Sequence, residues 1–304
     1  MLAEPVDLSE KKLCYLCDSN SMSISKNRRS IRFHYLHKYY KCHSCRGYSL
    51  FPKLKVGEIA ELYSKKYIED VNSDDAMKEE VTLNRFSDLI EVLQKLEDRQ
   101  DRKFLDYGCG ATAEVVIQAS KLGYSSFGVE VEEGTRQEAQ EKSNCQIYST
   151  ETLEECKSYF DIIFLGDVLE HLNEPLAVLK QLEARLAPSG ILVLQGPLEG
   201  ASTFCNTLIS IKAILLARFA SRFPPYHVSL ATKTSIEKAL NINGLVIQKL
   251  VITEPFWPAP KFGSRTSFSS VTKLIFSLAK ILDVSLSKIL RNYGTRFFLI
   301  ATKG

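Results

Sequence analysis

Four of the eight cysteines stand in two CxxC knuckles, Cys14 and Cys17 in "CYLC" and Cys42 and Cys45 in "CHSC". Each knuckle turns two thiolates toward one point, and two knuckles supply the four soft ligands of a tetrahedral structural zinc ion. So short a segment buries too little apolar area to hold itself together, so the metal is expected to supply its folding energy. His34, His37 and His43 lie close by. With four thiolates closing the shell, they read as surface residues. The insert between the knuckles, residues 18–41, mixes basic and aromatic residues. A ribbon hairpin whose aromatic side packs on a neighbour is the preferred reading over an RNA-gripping surface.

A second constellation lies in "KFLDYGCGATAEVVIQASKLGYSSFGVEVEEG". It reads as a strand, a glycine-rich turn, a helix and a second strand ending in an acid, the opening unit of a doubly wound sheet. Gly108 and Gly110 let the backbone turn tightly beside a ligand, with the next helix offering its amino end. "GCGATA" also satisfies the loose GxGxxA form of a dinucleotide fingerprint, with Glu130 where a ribose-binding acid belongs. Asp106 weighs against that reading. At the end of the first strand its carboxylate would meet a pyrophosphate with like charge. S-adenosylmethionine has no phosphate, and carries an ammonium and a sulfonium that such a carboxylate would favour.

With these residues in place, the chain resembles the class I S-adenosylmethionine-dependent methyltransferases from about residue 104 to its end. The ordered motifs are "FLDYGCG", "FGVEVEEG", "YFDIIFLGDVLEHLNEPLAVLKQLEARLAPSGILVLQGP" and "HVSLATKTSIEKALNINGL". The series is similar to the branch with quinone-biosynthesis O-methyltransferases and surface-sugar pathway enzymes, some of which have a four-cysteine module in front. The resemblance implies that Asp106 and the loop Tyr107, Gly108, Cys109 and Gly110 hold the methionine part of the cofactor. It also implies that Glu130, followed by Val131, chelates the ribose hydroxyls, and that Gly166 and Asp167, after strand four, line the pocket floor. A helix N-cap is the alternative for Asp167. The family often has a third glycine where this chain has Thr112, whose hydroxyl is expected to cap the helix instead.

Methyl transfer from a sulfonium is an in-line displacement in which the enzyme mainly aligns the reacting atoms. For a hydroxyl acceptor a base helps, and a histidine near neutrality suits that work. His227, on the segment after strand five, is the first candidate, and His171 in "LEH" could approach the same place. For both, a structural hydrogen bond is the competing reading. Residues 222–230, "RFPPYHVSL", superficially match the Pro-Pro-Tyr of amine methyltransferases. That motif follows strand four and begins with a hydrogen-bond acceptor, whereas here strand four leads into "GDVL" and Phe223 precedes the prolines. Pro224 and Pro225 read instead as a stiff exit from a cap helix.

The elements that must position these groups follow from periodicity. The expected fold is α/β, a Rossmann-like, mostly parallel seven-stranded sheet whose last strand is antiparallel, preceded by a zinc ribbon and carrying a helical cap insertion. The domains are expected at residues 1–56 for the four-cysteine module, 57–103 for a helical connector and 104–304 for the methyltransferase domain, with the cap at 199–225. Apolar residues at helical spacing predict a helix around residues 79–98, and "SSVTKLIFSLAKILDVSLSKIL" predicts another between strand six and the last strand.

Composition is ordinary for a soluble globular chain, with 45% hydrophobic and 25% charged residues, and a formal charge of +3. The beginning lacks a signal-peptide pattern and no stretch has a transmembrane character, so the expected location is cytoplasmic. The amphipathic cap leaves peripheral membrane contact open. The favoured function is methyl transfer to a hydroxyl, or to carbon, of a small-molecule, glycan or lipid-linked acceptor. An RNA methyltransferase that grips its substrate with the basic ribbon, and a noncatalytic zinc-ribbon adaptor that binds the cofactor, are the alternatives.

Overall fold

The computed structural model describes residues 12–32, 35–54, 86–96, 100, 102–156, 158–208, 227–255 and 270–304. The two cysteine knuckles meet because the insert between them folds as a hairpin. Strands β1 (Met22–Arg32) and β2 (Tyr35–Cys42) pair antiparallel from Met22 opposite Cys42 to Arg32 opposite Tyr35, so the chain returns to its start. Strand β3 (Tyr48–Phe51) then pairs antiparallel with β2. Helix α1 (Ser87–Lys95) lies inside the segment predicted as helical, with Leu89 and Leu93 fully buried and Phe86 edge-on to the Phe164 ring. Residues 57–85, 97–99 and 101 of the expected connector, and residues 209–225 of the cap with its prolines, lie outside the described residues.

Strand β4 (Lys103–Tyr107), helix α2 (Glu114–Lys121), strand β5 (Ser125–Val129), helix α3 (Glu133–Ser143) and strand β6 (Gln146–Tyr148) follow in alternation. A short helix α4 (Thr150–Glu155), opened by a Ser149 capping box, leads to β7 (Phe160–Gly166). After a 3₁₀ turn at Leu169–His171 come α5 (Pro175–Arg185), with proline at its first position, and β8 (Leu186–Pro197). Strand β9 (Ser229–Leu230), helix α6 (Lys233–Ile242), strand β10 (Leu245–Thr253), helix α7 (Ser270–Ile289) and strand β11 (Arg296–Lys303) complete the described chain.

The large sheet has the order β10-β11-β8-β7-β4-β5-β6. Pairs among β4, β5, β6, β7 and β8 are parallel, while β11 is antiparallel to both β8 and β10. This is the mostly parallel seven-stranded sheet expected. The apolar runs "FL" in β4 and "IIFL" in β7 are fully buried, as central strands covered on both faces require. The chain runs outward from β4 to β6, then returns to β7 on the opposite side of β4. That reversal opens a crevice at the carboxyl ends of β4 and β7.

Strand β8 starts at Leu186 opposite Phe160, and the residues up to Gly190 bulge out before pairing resumes at Ile191. Two local expectations need correction. Thr112 does not cap α2. Ala113 occupies the N-cap position in a left-handed conformation, with no side-chain cap, because the backbone is still turning out of the glycine loop there. His37 is not a surface residue: it is fully buried, with Nδ1 3.2 Å from the Pro52 carbonyl, whereas His43 is exposed and His34 lies outside the described residues.

Candidate active site

The loop after β4 is shaped by two glycines with positive φ. At Gly108 (φ +87°) an added Cβ would come within 2.5 Å of Val168 Cγ2, so only glycine lets this loop pack against the segment after β7. Gly110 (φ +64°) meets open space instead. Tyr107 and Cys109 turn their side chains inward, both buried, so what they present to the crevice is backbone. Burial pushes the Tyr107 hydroxyl up to about 12 and raises the Cys109 thiol as well.

Asp106 is buried beneath this loop, and among the described residues no hydrogen bond reaches its carboxylate. Burial, reinforced by the nearby Glu130, pushes it up to about 8. Glu130, after β5, accepts the Gly110 N–H at Oε2 (3.1 Å) and the Val131 and Glu132 N–H groups at Oε1 (2.8 and 3.3 Å). It thereby joins the first two loops of the crevice. Burial raises its pKa against the lowering effect of those N–H donors. Val131 is exposed beside it.

The loop after β7 carries a second group. Gly166 ends the strand with no room for a Cβ between Phe164 and Phe86. Asp167, with φ +56°, forms an ion pair with Arg296 at the start of β11 (Oδ1 to Nη2, 2.8 Å) and donates its N–H to the Gln195 carbonyl. It is not the cap of the following turn, which has no side-chain cap. Glu170 is 5% exposed, and burial, then the Asp167 charge, pushes it up to about 7. The His171 and His227 rings stand edge to face with centroids 4.8 Å apart. The ligand atoms of Glu170, His171 and His227 all lie within 4.8 Å of one another.

His227 Nδ1 is 2.6 Å from Glu199 Oε2, and the carboxylate fixes that nitrogen as the donor. Burial lowers the His227 pKa, but the bond and charge of Glu199, then Glu170 and Asp167, outweigh it, and the net shift is upward. The Val228 N–H donates to the Glu170 carbonyl (2.8 Å), which ties the His227 segment to the 3₁₀ turn. Glu199, Glu170 and Arg296 escaped the sequence reading. Glu170 stands beside His171 in "LEH" and its neighbourhood was noticed; nothing in the spacing marks Glu199 or Arg296.

In the amino-terminal module the four thiols converge. Cys14 and Cys45 Sγ are 3.6 Å apart, as are Cys17 and Cys42, and all four sulfurs lie within 4.8 Å of one another. These separations exclude disulfides, whose sulfurs are ~2.05 Å apart. They match the ~3.8 Å between sulfurs on a tetrahedron with ~2.3 Å metal–sulfur bonds. The contact with the Cys45 sulfur holds the Cys14 thiol well below its ordinary value.

A mostly parallel sheet of this order, with a glycine loop after its first strand, a carboxylate after its second and acids after its fourth, defines a class I S-adenosylmethionine-dependent methyltransferase. Comparison with known proteins gives the family. A methyltransferase domain family matches residues 81–250, more than half of the chain, and the chain belongs to it. Over 162 residues it is 29% identical to the ubiquinone biosynthesis O-methyltransferase of Bradyrhizobium diazoefficiens, a match covering 51% of this chain and 63% of that protein. The chain thus spans less than two thirds of that relative's length.

Among solved structures, magnesium protoporphyrin IX methyltransferase (ChlM) from Synechocystis PCC 6803 with bound SAH aligns with a TM-score of 0.55 at 15% identity, over 82% of this chain and all of that one. A SAM-dependent methyltransferase from Archaeoglobus fulgidus aligns with a TM-score of 0.52 at 18% identity, over 79% of this chain and all of that one. At these identities the structural likeness shows the fold. Among the described residues no helix is long and apolar enough to cross a membrane.

Proposed function

We propose that this methyltransferase transfers the methyl group to a hydroxyl oxygen of a small-molecule, sugar or lipid-linked acceptor, with His227 as the base and Glu199 holding it. The observation that carries this reading is the 2.6 Å contact between His227 Nδ1 and Glu199. With Nδ1 donating to a carboxylate, Nε2 keeps its lone pair and is available to take a proton. The Bradyrhizobium relative, a ubiquinone biosynthesis O-methyltransferase, supports an oxygen acceptor.

The residues fit S-adenosylmethionine. Asp106 is a buried carboxyl that a cationic amino group would ionise, Gly110 leaves open space above the loop, and Glu130 retains lone pairs beyond its three N–H partners for ribose hydroxyls. The backbone of Tyr107, Gly108 and Cys109 flanks the methionine portion; Val131, Gly166 and Asp167 border the pocket. S-adenosylmethionine, when bound, supplies a methyl carbon made electrophilic by its sulfonium. His227 accepts the acceptor's hydroxyl proton at Nε2, Glu199 stabilises the resulting imidazolium, and His171 confines the ring from its edge. The four cysteines hold a structural zinc ion that folds the module.

Methyl-labelled S-adenosylmethionine offered with a catechol, a hydroxy-sugar and a short RNA tests the acceptor class. Label on an oxygen of the catechol or sugar is expected. Label confined to RNA, or to nitrogen or carbon, would overturn the reading.

A further inference from the structure

The segment that carries His227 is also the outer strand of the four-cysteine module's sheet. Strand β9 pairs antiparallel with β3, Leu230 opposite Tyr48 and Ser229 opposite Ser49, so the small sheet runs β1-β2-β3-β9. The Leu50 N–H extends the ladder to the Val228 carbonyl (2.8 Å). Beyond it, the Tyr39 hydroxyl donates to the carbonyl of His227 itself (2.6 Å). Val228 and Leu230 are buried in one apolar cluster with Tyr15, Tyr39, Leu50 and Phe51 of the module.

The same segment is held from its other side by the methyltransferase fold. The Val228 N–H donates to the Glu170 carbonyl, the Gly200 N–H donates to the Ala231 carbonyl, and Glu199 takes the His227 ring. Residues 227–231 therefore span two bodies. Their main chain is hydrogen-bonded to both. Tyr39 lies three residues before Cys42 on β2, and Thr232 Oγ1 donates to the Cys45 carbonyl (2.8 Å), so the cysteine cluster is bonded into this junction.

We propose that the four-cysteine module is a positioning element of the transfer site, with Tyr39 the positioning residue that sets the His227 main chain and so aims its ring at Glu199. The inference rests on the reading of His227 as the base. Without the Tyr39 bond or the folded module, the His227 carbonyl has no partner on that side among the described residues. The ring can then draw away from Glu199, and from Glu170 and Asp167, whose charges favour its protonated form; His171, from the same turn, and Tyr39 are the other groups that face it. A docking role alone would tolerate loss of any single contact between module and domain, such as that from Lys238 Nζ to the Ser44 carbonyl and hydroxyl.

The test follows the His227 ring by NMR through a pH titration, its signal among those of the five histidines identified by its loss in His227→Ala. Wild type, Tyr39→Phe and Lys238→Met are compared as full chains under reducing conditions, with zinc content measured in each. In Tyr39→Phe with zinc retained, the His227 midpoint is expected to fall by about 0.5 pH, the scale of one neutral hydrogen bond. Lys238→Met should match wild type. Wild type stripped of zinc by a chelator should show a fall at least as large as Tyr39→Phe.

An unchanged midpoint in zinc-bound Tyr39→Phe would overturn the proposal. Should that variant lose its zinc, an unchanged midpoint in the stripped wild type would do so equally. Failure of the base reading is seen separately, as full methyl transfer by His227→Ala, and leaves this ring measurement interpretable.

Discussion

His227 and Glu199, 28 positions apart in the chain, form a hydrogen-bonded pair, Nδ1 to Oε2 at 2.6 Å. The carboxylate fixes the imidazole tautomer and favours its charged form, which is what a base needs from its partner as it takes a proton. Glu199→Gln keeps the shape and removes the charge. The His227 pKa then falls, since burial lowers it and Glu199 is the largest opposing influence. A base works only when neutral, so the acid limb of the rate profile should move to lower pH while the plateau rate drops about tenfold. The pH dependence of kcat for methyl transfer to the accepted substrate checks both; an unmoved limb would separate Glu199 from the base.

Asp106 gives a different pH signature. Its carboxyl is raised to about 8 in the protein, far above the ordinary carboxylate value, so near neutrality it is largely protonated. A cationic cofactor binds the ionised form and must displace that proton. Affinity for S-adenosylmethionine should therefore rise from pH 6 to about 8 and level off above it. Calorimetry in buffers of different ionisation enthalpy should show net proton release at pH 7. Asp106→Asn should bind more weakly and lose both the slope and the release.

Glu130 holds the first loop to the second through the Gly110 N–H, and has lone pairs left for the ribose hydroxyls. Glu130→Ala should weaken S-adenosylmethionine binding by about 3 kcal/mol, the scale of two bonds to a charged group. Direct titration measures this, and unchanged affinity would exclude the ribose assignment.

The cysteine cluster makes a stability prediction. Cys45 is buried, and its carbonyl receives the Thr232 hydroxyl. On the proposal that the cluster holds a structural zinc ion, Cys45→Ser removes one of four soft ligands, so the zinc should be lost and the module should unfold. Metal analysis and amide hydrogen exchange would show it, with protection lost at Leu50 and over β1 to β3 while β4 and β7 stay protected. A Cys45→Ser chain that keeps both its zinc and that protection would contradict the account.

The features legible in the sequence are those whose signal is local. CxxC knuckles, a glycine turn after an apolar strand, and an acid ending the next strand each declare themselves within a few residues, and the order of strands and helices follows from periodicity. What was not legible depends on partners distant in the chain. Ser229–Leu230 is too short to show alternation and is a strand only because β3 lies beside it. Glu199 gains its role from His227, and Arg296 from Asp167, through contacts that no spacing rule encodes. Thr112 failed as a cap because α2 begins one residue later than its hydroxyl required. His37 failed as a surface residue because the module's sheet closes over it.

As the base of an S-adenosylmethionine-dependent transfer to oxygen, His227 should be needed for the chemical step and not for cofactor binding. The most direct measurement is the single-turnover rate of labelled methyl transfer by His227→Ala, beside its affinity for S-adenosylmethionine by calorimetry. The rate is expected to be lower by about 100-fold or more, the usual contribution of a general base, with cofactor affinity unchanged within about twofold. A variant that transfers the methyl group at the wild-type rate would contradict that role.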